Sequence, residues 1–116
     1  MGEALKRLNV PRSSYVVTTK LFWSQTKLPN QVGNNRKHLF EGMRNSLKNL
    51  QLDNVDVIYS HRPDYTTPLE EVCRGFNDLI NQNLAYYWGT SEWRPEMISR
   101  AIEICRSNGW HEPVVE

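Results

Sequence analysis

Lys20, His61 and Ser91 are the side chains of this chain whose types and positions best suit chemistry. Each stands at or just past the end of a short β-like run: Tyr15–Lys20, Val55–His61 and Leu84–Ser91. A lysine closing a buried strand is unusual, because Lys is seldom buried without a partner. Its ammonium can lower the pKa of a neighbouring acid, or the amine can itself act as base or Schiff-base nucleophile. The bland alternative is a lysine snorkelling at a rim. His61, within Ser60-His61-Arg62-Pro63-Asp64, suits proton handling or the orientation of a carbonyl, with Arg62 and Asp64 fixing the turn beside it. Ser91 follows Gly89-Thr90, a small residue and a hydroxyl that suit an amide or phosphate ligand and equally an ordinary turn. In a parallel α/β barrel the strand ends converge on one mouth, where ligands bind, so all three groups would face one pocket.

The elements that must position them follow from periodicity. Residues 3–9 read as the end of a helix stopped by Val10-Pro11, and Arg12-Ser13-Ser14 as a turn. Tyr15–Thr19 is β-branched and nearly continuous in apolarity, as expected of a strand buried on both faces. A long polar loop follows over 21–35. From about Arg36 to Leu50, the residues Leu39, Phe40, Met43, Leu47 and Leu50 fall at helical spacing, with Asn34 or Asn35 as cap. Val55–Tyr59 is the second strand. Thr67 then caps a helix with Pro68 at its first position and Glu70 closing a capping box; its stripe is Leu69, Val72, Cys73, Phe76, Leu79 and Ile80. Leu84–Trp88 is the third strand, with an exit loop from Gly89 to Trp93. Pro95 opens a helix with Ile98, Ala101, Ile102 and Cys105 inward and Gly109 just past its end. Pro113–Glu116 resembles the start of a fourth strand. Three βα units imply right-handed crossovers into a parallel sheet. A doubly wound sheet is the rival, but no Gly-x-Gly-x-x-Gly follows any strand.

Composition narrows the partners. Apolar content of 39% and charged content of 23% over 116 residues place the chain in the globular class, with at most one domain. A formal net charge of +1 gives no electrostatic reason to expect nucleic acid or an anionic membrane surface as partner, and no apolar run approaches the ~20 residues that span a bilayer, so no direct membrane insertion is expected. The basic cluster Arg36-Lys37-His38 reads as a solvated helix start. Cys73 and Cys105 fall on apolar stripes and read as buried free thiols of a reducing, cytoplasmic compartment, without metal-ligand spacing. Trp23, Trp88 and Trp93 lie at or near strand ends, where they either pack the rim or wall an aromatic pocket.

Several segments together carry a specific likeness: Thr18-Thr-Lys-Leu-Phe-Trp23, Arg36-Lys-His-Leu-Phe-Glu-Gly42, Ser46-Leu-Lys-Asn-Leu50, Val55 through Asp64, Thr67-Pro-Leu-Glu-Glu71 and Tyr87-Trp-Gly-Thr-Ser-Glu-Trp93. The chain resembles the aldo-keto reductase superfamily, and within it the branch of voltage-gated potassium-channel beta subunits, over residues 3–116. The resemblance implies an NADP(H)-dependent (β/α)8 barrel that reduces aldehydes and ketones. It makes Lys20 the family lysine, which favours the ionised form of a tyrosine proton donor. It makes His61 the histidine that orients the substrate carbonyl beside the cofactor. Ser91 and Glu92 fall where the family meets the nicotinamide carboxamide, although Glu92 replaces the more usual Asn or Arg. Trp23 resembles a residue lining the substrate pocket. The branch adds a channel alpha subunit as partner and a homotetramer as assembly.

The resemblance also implies that residues 1–116 are a fragment of one such domain, the third to fifth βα units of a partial TIM barrel. The family's Tyr and Asp belong to the unit before Tyr15, and the segments that hold the adenosine phosphate come after Glu116. By itself such a piece is expected to be inactive. It would leave strand edges at Tyr15–Lys20 and Pro113–Glu116. Losing ~1,000 Å² of apolar burial removes roughly 25 kcal/mol, which exceeds a typical domain's margin of ~5–15 kcal/mol. Marginal stability is the expectation.

Overall fold

Helix and strand boundaries fall where local chemistry allows a stop. In the structure, a computed structural model describing residues 1–24, 26 and 28–116, helix α1 spans Gly2–Leu8 and ends where Asn9 adopts a left-handed conformation. The expected loop over 21–35 is described except at positions 25 and 27, which lie outside the described residues. A 3₁₀ turn at Arg12–Ser14 precedes strand β1, Thr18–Leu21. Helix α2, Arg36–Leu50, is capped by Asn35, whose Oδ1 accepts the His38 N–H at 3.0 Å. Strand β2 is Val55–Ser60, helix α3 Leu69–Asn81, strand β3 Ala85–Thr90 and helix α4 Pro95–Asn108. Gly109 closes α4 at φ 67°, a left-handed position that glycine occupies without strain.

The strands form one parallel sheet in the order β1-β2-β3 among the described residues. Lys20 lies opposite Tyr59 and Tyr59 opposite Gly89, so the strands end at nearly one level. One face of the sheet is covered by helices. Leu39, Met43, Val72, Phe76, Leu79, Ala101 and Cys105 are buried there against Leu21, Ile58 and Trp88. Phe76 stacks on Trp88 at 4.7 Å between ring centres, and the Trp88 Nε1–H donates to the His111 carbonyl at 2.7 Å. Cys73 and Cys105 are both buried and unoxidised.

Five local expectations are corrected. β1 starts later than Tyr15 and is not buried on both faces: Thr18 and Lys20 are exposed, because side chains alternate and only the Thr19 and Leu21 side meets α2. β3 runs on through Gly89-Thr90, because Thr90 pairs with Ser60 and its N–H donates to the Val115 carbonyl. The capping box at α3 does not form, since the Thr67 hydroxyl donates to Asp64 at 2.8 Å and no side chain caps the helix. His38 is buried rather than solvated, its Nε2–H reaching the Phe22 carbonyl at 3.1 Å. The segment 113–116 is not a regular strand, yet two ladder bonds tie it to β3: Val114 N–H to Trp88 O and Thr90 N–H to Val115 O.

Asp64 organises the turn into α3. Its carboxylate accepts from the Asn34 N–H at 2.7 Å, the Thr66 N–H at 2.9 Å, the Thr66 hydroxyl at 2.7 Å, the Thr67 N–H at 3.2 Å and the Thr67 hydroxyl. Burial opposes its ionisation, but these donors outweigh burial and hold its pKa at about 2. A depressed carboxylate contributes stability above its unfolded value and loses it as pH falls through the folded one. In the intact barrel, Asp64→Asn should therefore cost roughly 2 kcal/mol at pH 7 and flatten the loss of stability between pH 4 and pH 2, read by urea unfolding at each pH.

Gly89 generates a second prediction. A Cβ there would lie 2.5 Å from the Val115 carbonyl oxygen and 3.0 Å from the Tyr59 ring, and the first is backbone that cannot swing aside. Gly89→Ala should lower stability by about 1–3 kcal/mol and speed amide exchange at Val114 and Thr90, measured by hydrogen–deuterium exchange.

Candidate functional site

Alternation along the strands sorts the residues of each run between two faces. Thr19, Leu21, Ile58, Ser60, Trp88 and Thr90 belong to the helix-covered face. Lys20, Tyr59 and Gly89, paired across the sheet, belong to the opposite face, and His61 and Ser91 continue it two residues beyond Tyr59 and Gly89. That face carries Tyr87, 56% exposed. The ammonium of Lys20 stands 5.9 Å from the centre of the Tyr59 ring, a cation–π approach. Lys20 and His61 are thus close together at the C-terminal end of one sheet face, and Ser91 stands just past the end of β3.

The electrostatics of this end are distinctive. The pKa of His61 is lowered, first by its burial, then by the ammonium of Lys20, then by the guanidinium of Arg62. The imidazole is therefore neutral at pH 7, able to donate a hydrogen bond from one ring nitrogen without carrying charge. Arg62 is in turn paired with Glu92, whose backbone takes a left-handed conformation at φ 56°. Glu92 is thus engaged with the residue after His61, and its side chain is 65% exposed.

Trp23 is 60% exposed and meets Phe22 edge-on at 4.6 Å. It shares with Lys20 a cavity of about 480 Å³ that also touches His38, Gly42 and Ser46; His61 and Ser91 do not line it. Trp88 and Trp93 are buried rather than pocket-lining, and Trp93 Nε1–H donates to Ser60 Oγ at 3.2 Å.

Sequence reasoning overlooked two residues here. Tyr59 lies between Lys20 and Gly89 in the ladder, and strand alternation counted back from His61 would have found it. Asn34 was weighed only as a helix cap. It is instead fully buried, its Nδ2 donating to Ser60 Oγ at 2.7 Å and to the Arg62 carbonyl at 3.0 Å. Gly33 before it, at φ 97°, leaves room for the Asp64 carboxylate, which a Cβ would approach to 2.6 Å. No pattern distinguishes Asn34 from its neighbour Asn35. No cluster of three or more His, Cys, Asp or Glu among the described residues could hold a metal ion, and no helix among them is long and apolar enough to cross a membrane.

The chain is similar in sequence to known proteins. A rice protein provisionally named a voltage-gated potassium channel subunit beta is 48% identical over 116 residues, covering all of this chain and 35% of the relative. A Schizosaccharomyces pombe protein with the same provisional name is 50% identical, covering all of this chain and 34% of its own length. An Arabidopsis thaliana counterpart is 48% identical over 101 residues. The chain thus spans about a third of the length of these relatives. Among solved structures, one provisionally described as a 2,5-diketo-D-gluconic acid reductase B superposes with a TM-score of 0.77 over 89% of this chain and 34% of its own, at 22% identity. That likeness speaks for the fold, an α/β arrangement corresponding to part of a TIM barrel. The Aldo/keto reductase family model matches residues 1–115, and the chain belongs to that family.

Proposed function

We propose that residues 1–116 supply the third to fifth βα units of an NADP(H)-dependent reductase of aldehydes and ketones. The observation that carries this reading is the row Lys20–Tyr59–Gly89 with His61 and Ser91 at its end, on a sheet face that bears a lowered-pKa imidazole beside an ammonium. The residues suit a nicotinamide: Ser91 is a half-buried hydroxyl at the exit of β3, and His61 at the exit of β2 is an imidazole whose lowered pKa favours its neutral, hydrogen-bond-donating form. When bound, NADPH supplies the hydride that reduces the carbonyl carbon. Lys20 holds positive charge where a tyrosine of the preceding unit would release its proton to the carbonyl oxygen, which lowers that tyrosine's pKa. His61 orients the carbonyl by donating to its oxygen, without surrendering charge. Ser91, with Glu92 beside it, meets the carboxamide, and Trp23 walls the substrate pocket.

The provisional names of the relatives support a second reading, a cytoplasmic regulatory beta subunit in which a homotetramer of such barrels docks on the alpha subunits of a potassium channel. The two readings separate on one preparation. Full-length protein that oxidises NADPH with an aromatic aldehyde, and elutes as a monomer that retains no channel from detergent-solubilised membranes, is a reductase only. Copurification with a tetrameric channel establishes the second role.

Two measurements test the chemistry. His61→Ala in the full-length protein should lower kcat for an aldehyde by roughly 10²-fold while leaving the affinity for NADPH within about twofold, followed at the nicotinamide absorbance; unchanged turnover removes His61 from the mechanism. Because burial, then the Lys20 and Arg62 charges, hold the His61 pKa below its ordinary value, any loss of kcat through protonation of the imidazole should set in at a lower pH than for an ordinary histidine. A His61-dependent decline centred at or above the ordinary histidine pKa would contradict this assignment.

A further inference from the structure

We infer that Asn34 is the positioning residue for His61, its buried amide fixing the backbone on both sides of the imidazole-bearing residue. The chemical consequence rests on the reductase reading above; the placement itself does not. Asn34 donates from one nitrogen to the hydroxyl of Ser60 and to the carbonyl of Arg62, the residues immediately before and after His61. The Ser60 hydroxyl donates onward to that same Arg62 carbonyl at 2.9 Å, so three polar groups close a ring behind His61. Ser60 lies on the helix-covered face and is fully buried, which directs His61 to the opposite, open face.

The ring is anchored from three units of the fold. The Asn34 N–H is held by the Asp64 carboxylate, itself saturated by Thr66 and Thr67. Trp93, from the exit of β3, donates to the Ser60 hydroxyl. The His61 N–H donates to the Leu21 carbonyl at 3.0 Å, tying the same point to the end of β1. A buried amide that loses its partners is costly, so Asn34 has one stable setting, and that setting fixes the path from Ser60 to Arg62. The carbonyl oxygen of Asn34 has no partner among the described residues, so the amide acts here through its donor side alone. Displacing a group that orients a reacting carbonyl by 1 Å can cost about 10²-fold in rate.

The test uses the full-length protein and two readouts, the NMR titration of the His61 ring and steady-state kinetics with NADPH and an aromatic aldehyde. The charged groups that act on this ring are Lys20 from β1 and Arg62 from its own strand exit, with Glu92 from the exit of β3 paired to Arg62 and Lys20 resting over the Tyr59 ring. Asn34→Ala should lower kcat about 10-fold, leave KM for NADPH within about twofold, and move the His61 titration midpoint toward its ordinary value as the ring drifts from Lys20 and Arg62. A folded Asn34→Ala protein whose His61 titration is unchanged overturns the inference, whatever its rate. Should Asn34→Ala fail to fold, Ser60→Ala removes the other end of the same bond and is judged by the same outcomes. If the parent protein shows no turnover, the reductase reading fails, while the titration still decides whether Asn34 places His61.

Discussion

Parallel pairing is the constraint on which the rest of this structure depends. Because β1, β2 and β3 run the same way and end level with one another, whatever follows each strand emerges at one edge of the sheet. Antiparallel pairing would send Lys20 and His61 to opposite ends. Parallel strands cannot be joined by tight turns, so each crossover must carry a helix, and the helices in turn bury one face. The open face and the helix-covered face thus follow from one choice of strand direction. The chemistry-bearing residues and the aliphatic stripe of α3 are consequences of the same geometry.

Charge is handled differently on the two sides of β2. On the helix-covered side polar groups are buried and saturated: Asp64 accepts five donations and Ser60 joins three hydrogen bonds. Such a network is rigid because moving Asp64 or Ser60 would orphan several partners at once, even though the Asn34 carbonyl oxygen within it has no partner among the described residues. On the open side the groups are less committed. Lys20 rests over the Tyr59 ring, and His61 is kept neutral by burial and by two nearby cations. Rigid polar support behind and poised groups in front is the arrangement that preorganised sites require, since orientation must be settled before a ligand arrives.

Helix α2 was legible in the sequence, from about Arg36 to Leu50, because an amphipathic stripe and an asparagine cap agree, whereas its left-handed stop at Gln51 carried no sequence signal. The strands were legible as short apolar runs between turn signals, and the placement of Lys20 and His61 at one end of the sheet followed from its parallel topology. The failures at Thr67 and Asn34 share a cause, which is competition for a polar side chain. Thr67 has the sequence of an N-cap, but a carboxylate two turns of logic away, Asp64, binds its hydroxyl more strongly than a helix N–H could. Asn34 and Asn35 are indistinguishable as letters; one caps a helix and the other is buried beneath β2, and only the left-handed Gly33 before them decides which. β1 was read as doubly buried because its composition suits a barrel interior, whereas one of its faces here meets no covering layer.

The two kinds of cohesion in this fold also differ in how far they reach. Apolar packing, from Leu39 through Phe76 to Trp88, joins each helix to the strand beneath it and is indifferent to small rotations, since dispersion and area burial have little directionality. Hydrogen bonds from Asn34, Asp64 and Trp93 join successive units to one another at their C-terminal ends, and each demands its own angle. A βα unit could therefore slide a fraction of an ångström over its core at small cost, but not at the mouth. Precision is concentrated at the end of the sheet where a carbonyl would have to be held, and the residues that provide it are buried polar ones rather than the exposed groups that would touch a ligand.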